Sequence, residues 1–416
     1  MAKNFAKLLK QHRKSVRFFL RRKNDRLLEL LSLSALGLSV GMLVLVLCSI
    51  VTNGYKALTV TKVLLSFDES LVHMKADDSH IREHCVTHIK HALEQTLGDI
   101  VDFSNAKVSR IAYSVISETA HHDLALLIKQ RAGKLKTSLW LNVSTEFVNS
   151  PPGTNAIYDE ILQNLKSRNL IKKFFNRAIF ANSHSKVPES AGILGAITGS
   201  LLTIMVCLSI AIPIGVMAGV CMQELLVQSR ITTVIEISIN NLSSVPSILF
   251  GVLGLIVYLN IFGMPRSSAL VGGMTLSMMI LPTLINTTRQ ALATVPDSVK
   301  HAAFSLGASE MQVIVHHSLP IAFPHIVQGI MISVARMIGE SSPLIMVGMV
   351  AFVVDIPKTF LDPASVLPVQ IYIWANNSSA EFTKISAIAI IALLIILLIL
   401  NMIAAVIKKR SDNFSF

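Results

Sequence analysis

Residues 301–320, HAAFSLGASEMQVIVHHSLP, lie between two long apolar stretches of the chain. They are too polar to cross a bilayer, yet they carry a helical pattern interrupted once, at Gly307. Pro296 and Asp297 mark the start, with Asp297 expected as the helix cap. Ala302 and Ala303 are small enough for a partner backbone to come close. Gly307 breaks the pattern, as glycine inside a helical run commonly does. A second amphipathic piece, Ser309 to His317, is expected to end at Leu319-Pro320. Two short helices at an angle make a knob with too little core to stand alone.

The rest of the chain explains where such a knob belongs. Of 416 residues, 52% are hydrophobic and 15% charged, and the mean hydropathy is +0.59. That balance fits a polytopic membrane protein. The net charge of +12 is concentrated in the first 26 residues, which hold ten Lys or Arg against Asp25 alone. Outside that tail the chain is only mildly basic, so a nucleic-acid partner is not expected. The four cysteines, Cys48, Cys85, Cys207 and Cys221, form no C-x-x-C pair and imply no disulfide framework.

A helix of about 20 apolar residues crosses a bilayer core. Six stretches are expected to do so: Leu27–Val51, Ala191–Met222, a part of Ile231–Phe262, Ala269–Asn286, Ile326–Val354 and Ile385–Ile407. The opening of the third, ISINNLSSVPS, is polar enough to be interfacial or re-entrant. The first is an uncleaved anchor rather than a signal peptide, being too long and lacking a small-residue cleavage site. A basic segment before an apolar span marks the cytoplasmic side. Residues 1–26 are then a cytoplasmic basic tail, 27–51 the first anchor, and both termini cytoplasmic. Residues 54–188 fall outside, as do the short loop around Arg266 and loop 355–383. Residues 190–410 form the transmembrane domain, with loop 296–320 in the cytoplasm.

Residues 54–188 suffice for one small domain. ALTVTKVLLSF alternates like a strand, whereas HIREHCVTHIKHALEQTL and YDEILQNLKSRNLIKKFFNRAIF carry helical patterns. The fold class is therefore all-α and polytopic, with six transmembrane helices and a small α+β extracytoplasmic domain inserted after the first span.

The hairpin resembles the EAA coupling loop of bacterial ABC importer permeases: Glu-Ala-Ala, three residues, Gly, then about nine residues before a hydrophobic residue and Leu-Pro. Ala302, Ala303, Gly307, Leu319 and Pro320 match, while His301 stands where that pattern has Glu. NNLSSVPSILFGVLGL (240–255), LPTLINTTRQALATVPDSV (281–299), ARMIGESSPLIMVG (335–348) and LPVQIYIWA (367–375) are similar to the A-type permease subunit of phosphate-specific (Pst) importers. The resemblance implies a type I ABC importer permease arrangement in a bacterial inner membrane. It implies inorganic phosphate as cargo, a homologous second permease, an ATP-binding subunit dimer docked on the hairpin, and a periplasmic phosphate-binding protein. ATP and Mg would sit on the partner ATPase. This chain would hold no cofactor, and it contains no G-x-x-x-x-G-K-[ST] loop to cradle ATP phosphates. Another oxyanion, sulfate or molybdate, fits the same architecture. A membrane sensor using the external domain and a gradient-driven transporter are the readings from other classes.

Arg336 and Glu340 are the charges read as buried in the fifth span. A charge at mid-membrane costs about 2.5–3.5 kcal/mol on insertion scales, so such residues usually face a pathway. At helical spacing i, i+4 the two share a face. They either neutralise each other or form a tempered anion site, the guanidinium gripping and the carboxylate weakening the grip. His80, His84, His88 and His91 line one helical face. They are weak metal candidates, since two His at i, i+4 can hold Zn²⁺ but no carboxylate completes a catalytic pattern; a solvated helix is the plainer reading. Gly195/Gly199 and Gly215/Gly219 allow close helix contact. The run Asn240–Pro246 is expected to line a cavity, and LPVQIYIWA to act as an external aromatic anchor.

Overall fold

The computed structural model describes residues 2–67, 81–99, 101–130, 138–149, 156–227 and 229–412. They divide into two units, Met1–Asn53 and Gly54–Phe416. The first consists of most of helix α1 (Ala2–Ala57), whose segment Leu28–Ala57 is long and apolar enough to cross a membrane. Its side chains from Leu28 to Val46 are exposed.

The second unit begins with the end of α1 and an α+β insert. Strand β1 (Thr59–Ser66) is the centre of a three-stranded antiparallel sheet, flanked by β2 (Ser138–Asn142) and β3 (Ile171–Phe175). The register sets Val63 opposite Leu141 and Ile171, and Leu65 opposite Leu139. Alternation then puts these side chains on one face. Helices α2 (Ile81–Leu97), α3 (Ala106–Tyr113), α4 (Ala120–Gln130), α5 (Thr145–Asn149) and α6 (Ala156–Ser167) complete a core around Leu65, Leu93, Leu124, Leu141 and Ile161. One expectation is corrected here. The stretch 158–180 is not helical throughout: α6 stops, Asn169 turns the chain at φ 56°, β3 follows, and a short helix α7 (Ala178–Ala181) ends it. IKKFF takes its extended form from pairing with β1, and such tertiary pairing outweighs local preference.

The membrane bundle starts at α8 (Leu194–Val220), which a π-turn at Cys221–Leu225 extends. Next come α9 (Arg230–Ser243) and α10 (Ser247–Gly254), the latter prolonged by a π-turn at Leu255–Ile261. These two are bent by 98° and count as one broken or re-entrant span, as the polar ISINNLSSVPS suggests. Helix α11 (Ala269–Ala293) packs along α8, and α12 (Asp297–Ser305) forms the first arm of the hairpin. Helices α13 (Glu310–Val313) and α14 (Leu319–Ile338), then α15 (Ser342–Met346), α16 (Leu367–Ala375) and α17 (Ala380–Asp412), follow. Among the described residues five helices pass the length and hydropathy criteria for a span, six with the bent pair.

Gly215 and Gly219 account for the closeness of α8 and α11. A Cβ at Gly215 would lie 2.8 Å from Leu284 Cβ, and one at Gly219 would lie 2.6 Å from Thr288 Cβ. Only an absent side chain permits that approach.

Two boundaries move, and one expected placement changes. The fourth span continues to Ala293, so Arg289 is helical rather than in a loop. The fifth span is Glu310–Ile338, not Ile326–Val354, because the helix stops at Gly339. Finally, α16 does not present both its aromatic rings as an external anchor: Trp374 is fully buried against Phe382 and His184, whereas Tyr372 is exposed.

Candidate functional site

The hairpin sits at the end of α8 opposite the insert. Its first arm, α12, is capped by Pro296 with no side-chain bond, so Asp297 is the first helical residue and not the cap. There its carboxylate still complements the positive end of the helix dipole. Gly307 adopts φ +87°, the left-handed conformation that closes a helix. Ser309 then caps the second arm in a reciprocal box with Gln312.

That second arm is not an independent short helix ending at Leu319-Pro320. It passes through a π-turn, Ile314–Ser318, straight into α14. The Leu319 amide bonds the Ile314 carbonyl, five residues back. Pro320 provides the reason: its ring needs room over the preceding turn, and widening that turn supplies it. Leu319 is half-buried in a cluster with Ala291, Leu292, Val295, Ala322 and Ile326, while Pro320 is exposed. The second arm of the hairpin and the fifth span are thus one continuous helix.

Of the residues singled out in the hairpin, Ala303 is buried, and His301, Ala302 and Gly307 are exposed. Phe304, Leu306, Met311 and Val315 expose apolar side chains around the tip. Behind it, Lys300 Nζ reaches Glu224 at the end of α8.

The second part of the site lies where two helix breaks meet. The break between α9 and α10 brings Ser247 Oγ to 3.0 Å from Glu340 Oε1, where it donates a hydrogen bond. Glu340 is itself in the break between α14 and α15. Irregular backbone at membrane depth is tolerated where it is buried in protein or lines a wet cavity. Arg336 is in the last turn of α14 and exposed, whereas Glu340 lies past the helix end. The two therefore do not share a helical face. Among the described residues no ion pair joins them.

Two further contacts fasten α9 to α11: Asn286 Nδ2 donates to Asn240 Oδ1 at 2.9 Å, and Arg289 Nη1 is 3.1 Å from Glu236 Oε1. Glu224, Glu236, Ser247, Arg289 and Lys300 are functional-site residues that the sequence pattern does not single out. The signal for two of them was present, since Glu236 is an isolated acid in an apolar run and Arg289 continues the period of α11.

The histidine face is placed in part. His84, His88 and His91 lie on α2, and His80 is outside the described residues. Among the described residues no group of three or more His, Cys, Asp or Glu is arranged to hold a metal ion. All four cysteines are free thiols.

The model of the binding-protein-dependent transport system inner membrane component matches residues 211–413, and a domain of unknown function matches 16–147. The phosphate transport system permease protein PstA of Yersinia pestis is 32% identical over 225 residues, covering 53% of this chain and 74% of that protein. PstA of Haemophilus influenzae is 30% identical, covering 50% and 72%. A probable ABC transporter permease, YqgI of Bacillus subtilis, is 31% identical over 39% of this chain, which spans only about half, 54%, of that relative. Among solved structures, a MetNI methionine ABC transporter in an inward-facing conformation aligns over 53% of this chain and 94% of its own, with TM-score 0.42 and 18% identity.

The chain is a helical, multi-pass inner-membrane permease of the ABC importer class. Within that class it belongs to the PstA-type permeases.

Proposed function

We propose that this chain is the membrane-spanning permease subunit of an ATP-driven importer of inorganic phosphate. In this reading a partner ATPase dimer grips the exposed apolar tip Phe304, Leu306, Met311 and Val315 from the cytoplasm. Nucleotide-driven closure then moves α12 and, through the π-turn, α14. A homologous permease subunit covers α9, none of whose residues is buried within this chain. A periplasmic phosphate-binding protein delivers cargo at the opposite end, and residues 54–188 lie outside the membrane. Both termini are cytoplasmic. Placement of the hairpin and the insert at opposite ends of α8, about 40 Å apart at 1.5 Å per residue, supports this topology. No bond-making step falls to the permease itself; ATP and Mg belong to the partner.

One observation carries the substrate assignment. Glu340 is engaged by Ser247 at the meeting of two helix breaks, and Arg336, one turn away in sequence, makes no ion pair among the described residues. An uncommitted guanidinium suits a transiting phosphate, which it meets with a planar fork of donors. Half-helix breaks are where transporters commonly place substrate contacts. The similarity to PstA proteins points the same way. The test is phosphate uptake by Arg336→Gln at matched expression; undiminished uptake overturns the assignment. Competition by sulfate or molybdate, with none by excess phosphate, would reassign the cargo.

A further inference from the structure

We infer that the corner formed by β3 and α7, together with the end of α1, is seated in the lipid headgroup layer on the insert's side of the membrane. The inference rests on reading Leu28–Ala57 and α17 as membrane spans.

Depth is set by packing. A Cβ at Gly54 would lie 3.0 Å from Ile391 Cδ1, so the end of α1 lies alongside the start of the apolar run of α17. Ala57 closes the helix in a cluster with Ile179 of α7, Ile193, Ile385 and Ile388, which mark the outer ends of their spans. The Asn176 amide donates to the Leu58 carbonyl at 2.8 Å, and Phe175 pairs with Thr59, two residues beyond α1. The corner therefore lies at the level where the spans leave the hydrocarbon.

Its side chains match that level. Phe175 and Phe180 stack with centroids 6.1 Å apart, yet they remain 58% and 49% exposed. Tyr55, on the end of α1, is 73% exposed. Lys56, Lys173 and Arg177 are exposed on the same three segments. While Ile179 plugs into the bundle, Phe180, next to it, faces away. Exposed aromatic rings with basic neighbours at a span end are the composition of an interfacial belt. The rings take the headgroup–acyl boundary and the cations take lipid phosphates. Seating of this kind ties the edge of the insert's sheet to the membrane plane, so the insert rides with the bilayer.

The test uses the full-length chain in nanodiscs of phosphatidylcholine and phosphatidylglycerol carrying bromine either near the headgroup end of the acyl chain or near the bilayer centre. Phe175→Trp and Phe180→Trp each add one emitter to the native Trp140 and Trp374, whose wild-type signal is subtracted. The expected result is loss of most of the added emission with shallow bromine and little loss with deep bromine. Leu43→Trp, within the first span, is the reference and should respond to the deep label. If it does and the corner variants respond to neither label, the corner faces water or protein and the inference is overturned. Strong deep quenching at the corner also overturns it. Absence of quenching at Leu43→Trp removes the span reading beneath it and the inference with it.

Discussion

Lys300 Nζ lies 2.8 Å from both carboxylate oxygens of Glu224, a fork that joins the first arm of the hairpin to the end of α8. The two side chains are only 18% and 7% exposed, so water screens them weakly. The hairpin is thus held by three spans, covalently by the fourth and the fifth and electrostatically by the second.

Removing either partner strands a charge, so Glu224→Gln and Lys300→Met should each lower the melting temperature of the purified chain. A double-mutant cycle should return a coupling of about 0.5–3 kcal/mol. The expected transport phenotype is loss of uptake with ATPase assembly retained. A coupling energy near zero contradicts the strut.

At the glycine contact between α8 and α11, Gly219→Ala would drive a methyl to within 2.6 Å of Thr288 Cβ. Overpacking of this kind costs about 1–3 kcal/mol. Thermal unfolding in detergent should show the loss, and Thr288→Gly should restore much of it.

Gly307 at φ +87° has open space where a Cβ would go, so only its backbone conformation is at stake. Gly307→Ala should cost about 1–2 kcal/mol, the penalty of a left-handed non-glycine residue. Hydrogen exchange should report this as faster opening of α12, with the sheet of the insert unchanged.

His184 packs against Phe352 and Trp374, and its Nδ1 is buried without a hydrogen-bond partner. Burial pushes its pKa below the ordinary 6.5. The unfolded chain therefore takes up a proton at a higher pH than the folded one. Stability contributed here is present above about pH 6.5 and is lost as the pH falls below it. Melting temperature against pH should show that acid limb, and His184→Phe should flatten it.

Much of this architecture is legible in the chain. Apolar runs give the spans, because a bilayer accepts only segments that satisfy their own backbone. The alternation in ALTVTKVLLSF gives β1, and the coupling-loop pattern 301–320 gives the hairpin. Boundaries are less legible. IKKFF carries no local sign that it is a strand, since its partner β1 lies more than a hundred residues earlier. The helix end at Gly339 falls inside the stretch read as one span to Val354, although Gly339 to Pro343 carries a local stop signal, and that reading put Arg336 and Glu340 on one helical face when Glu340 lies past the helix end.

The candidate site divides along the same line. Glu340 and Arg336 announce themselves as charges among apolar neighbours, a one-dimensional property. Ser247, Glu224 and Lys300 do not, because a serine or a surface-type ion pair means nothing until a distant segment is brought beside it. Hydropathy and short-range pattern depend on neighbours along the chain, so composition alone establishes a membrane bundle with a polar knob. Which side chain engages which across 76 or 93 residues depends on how helices break and pack, and only the folded bundle specifies it.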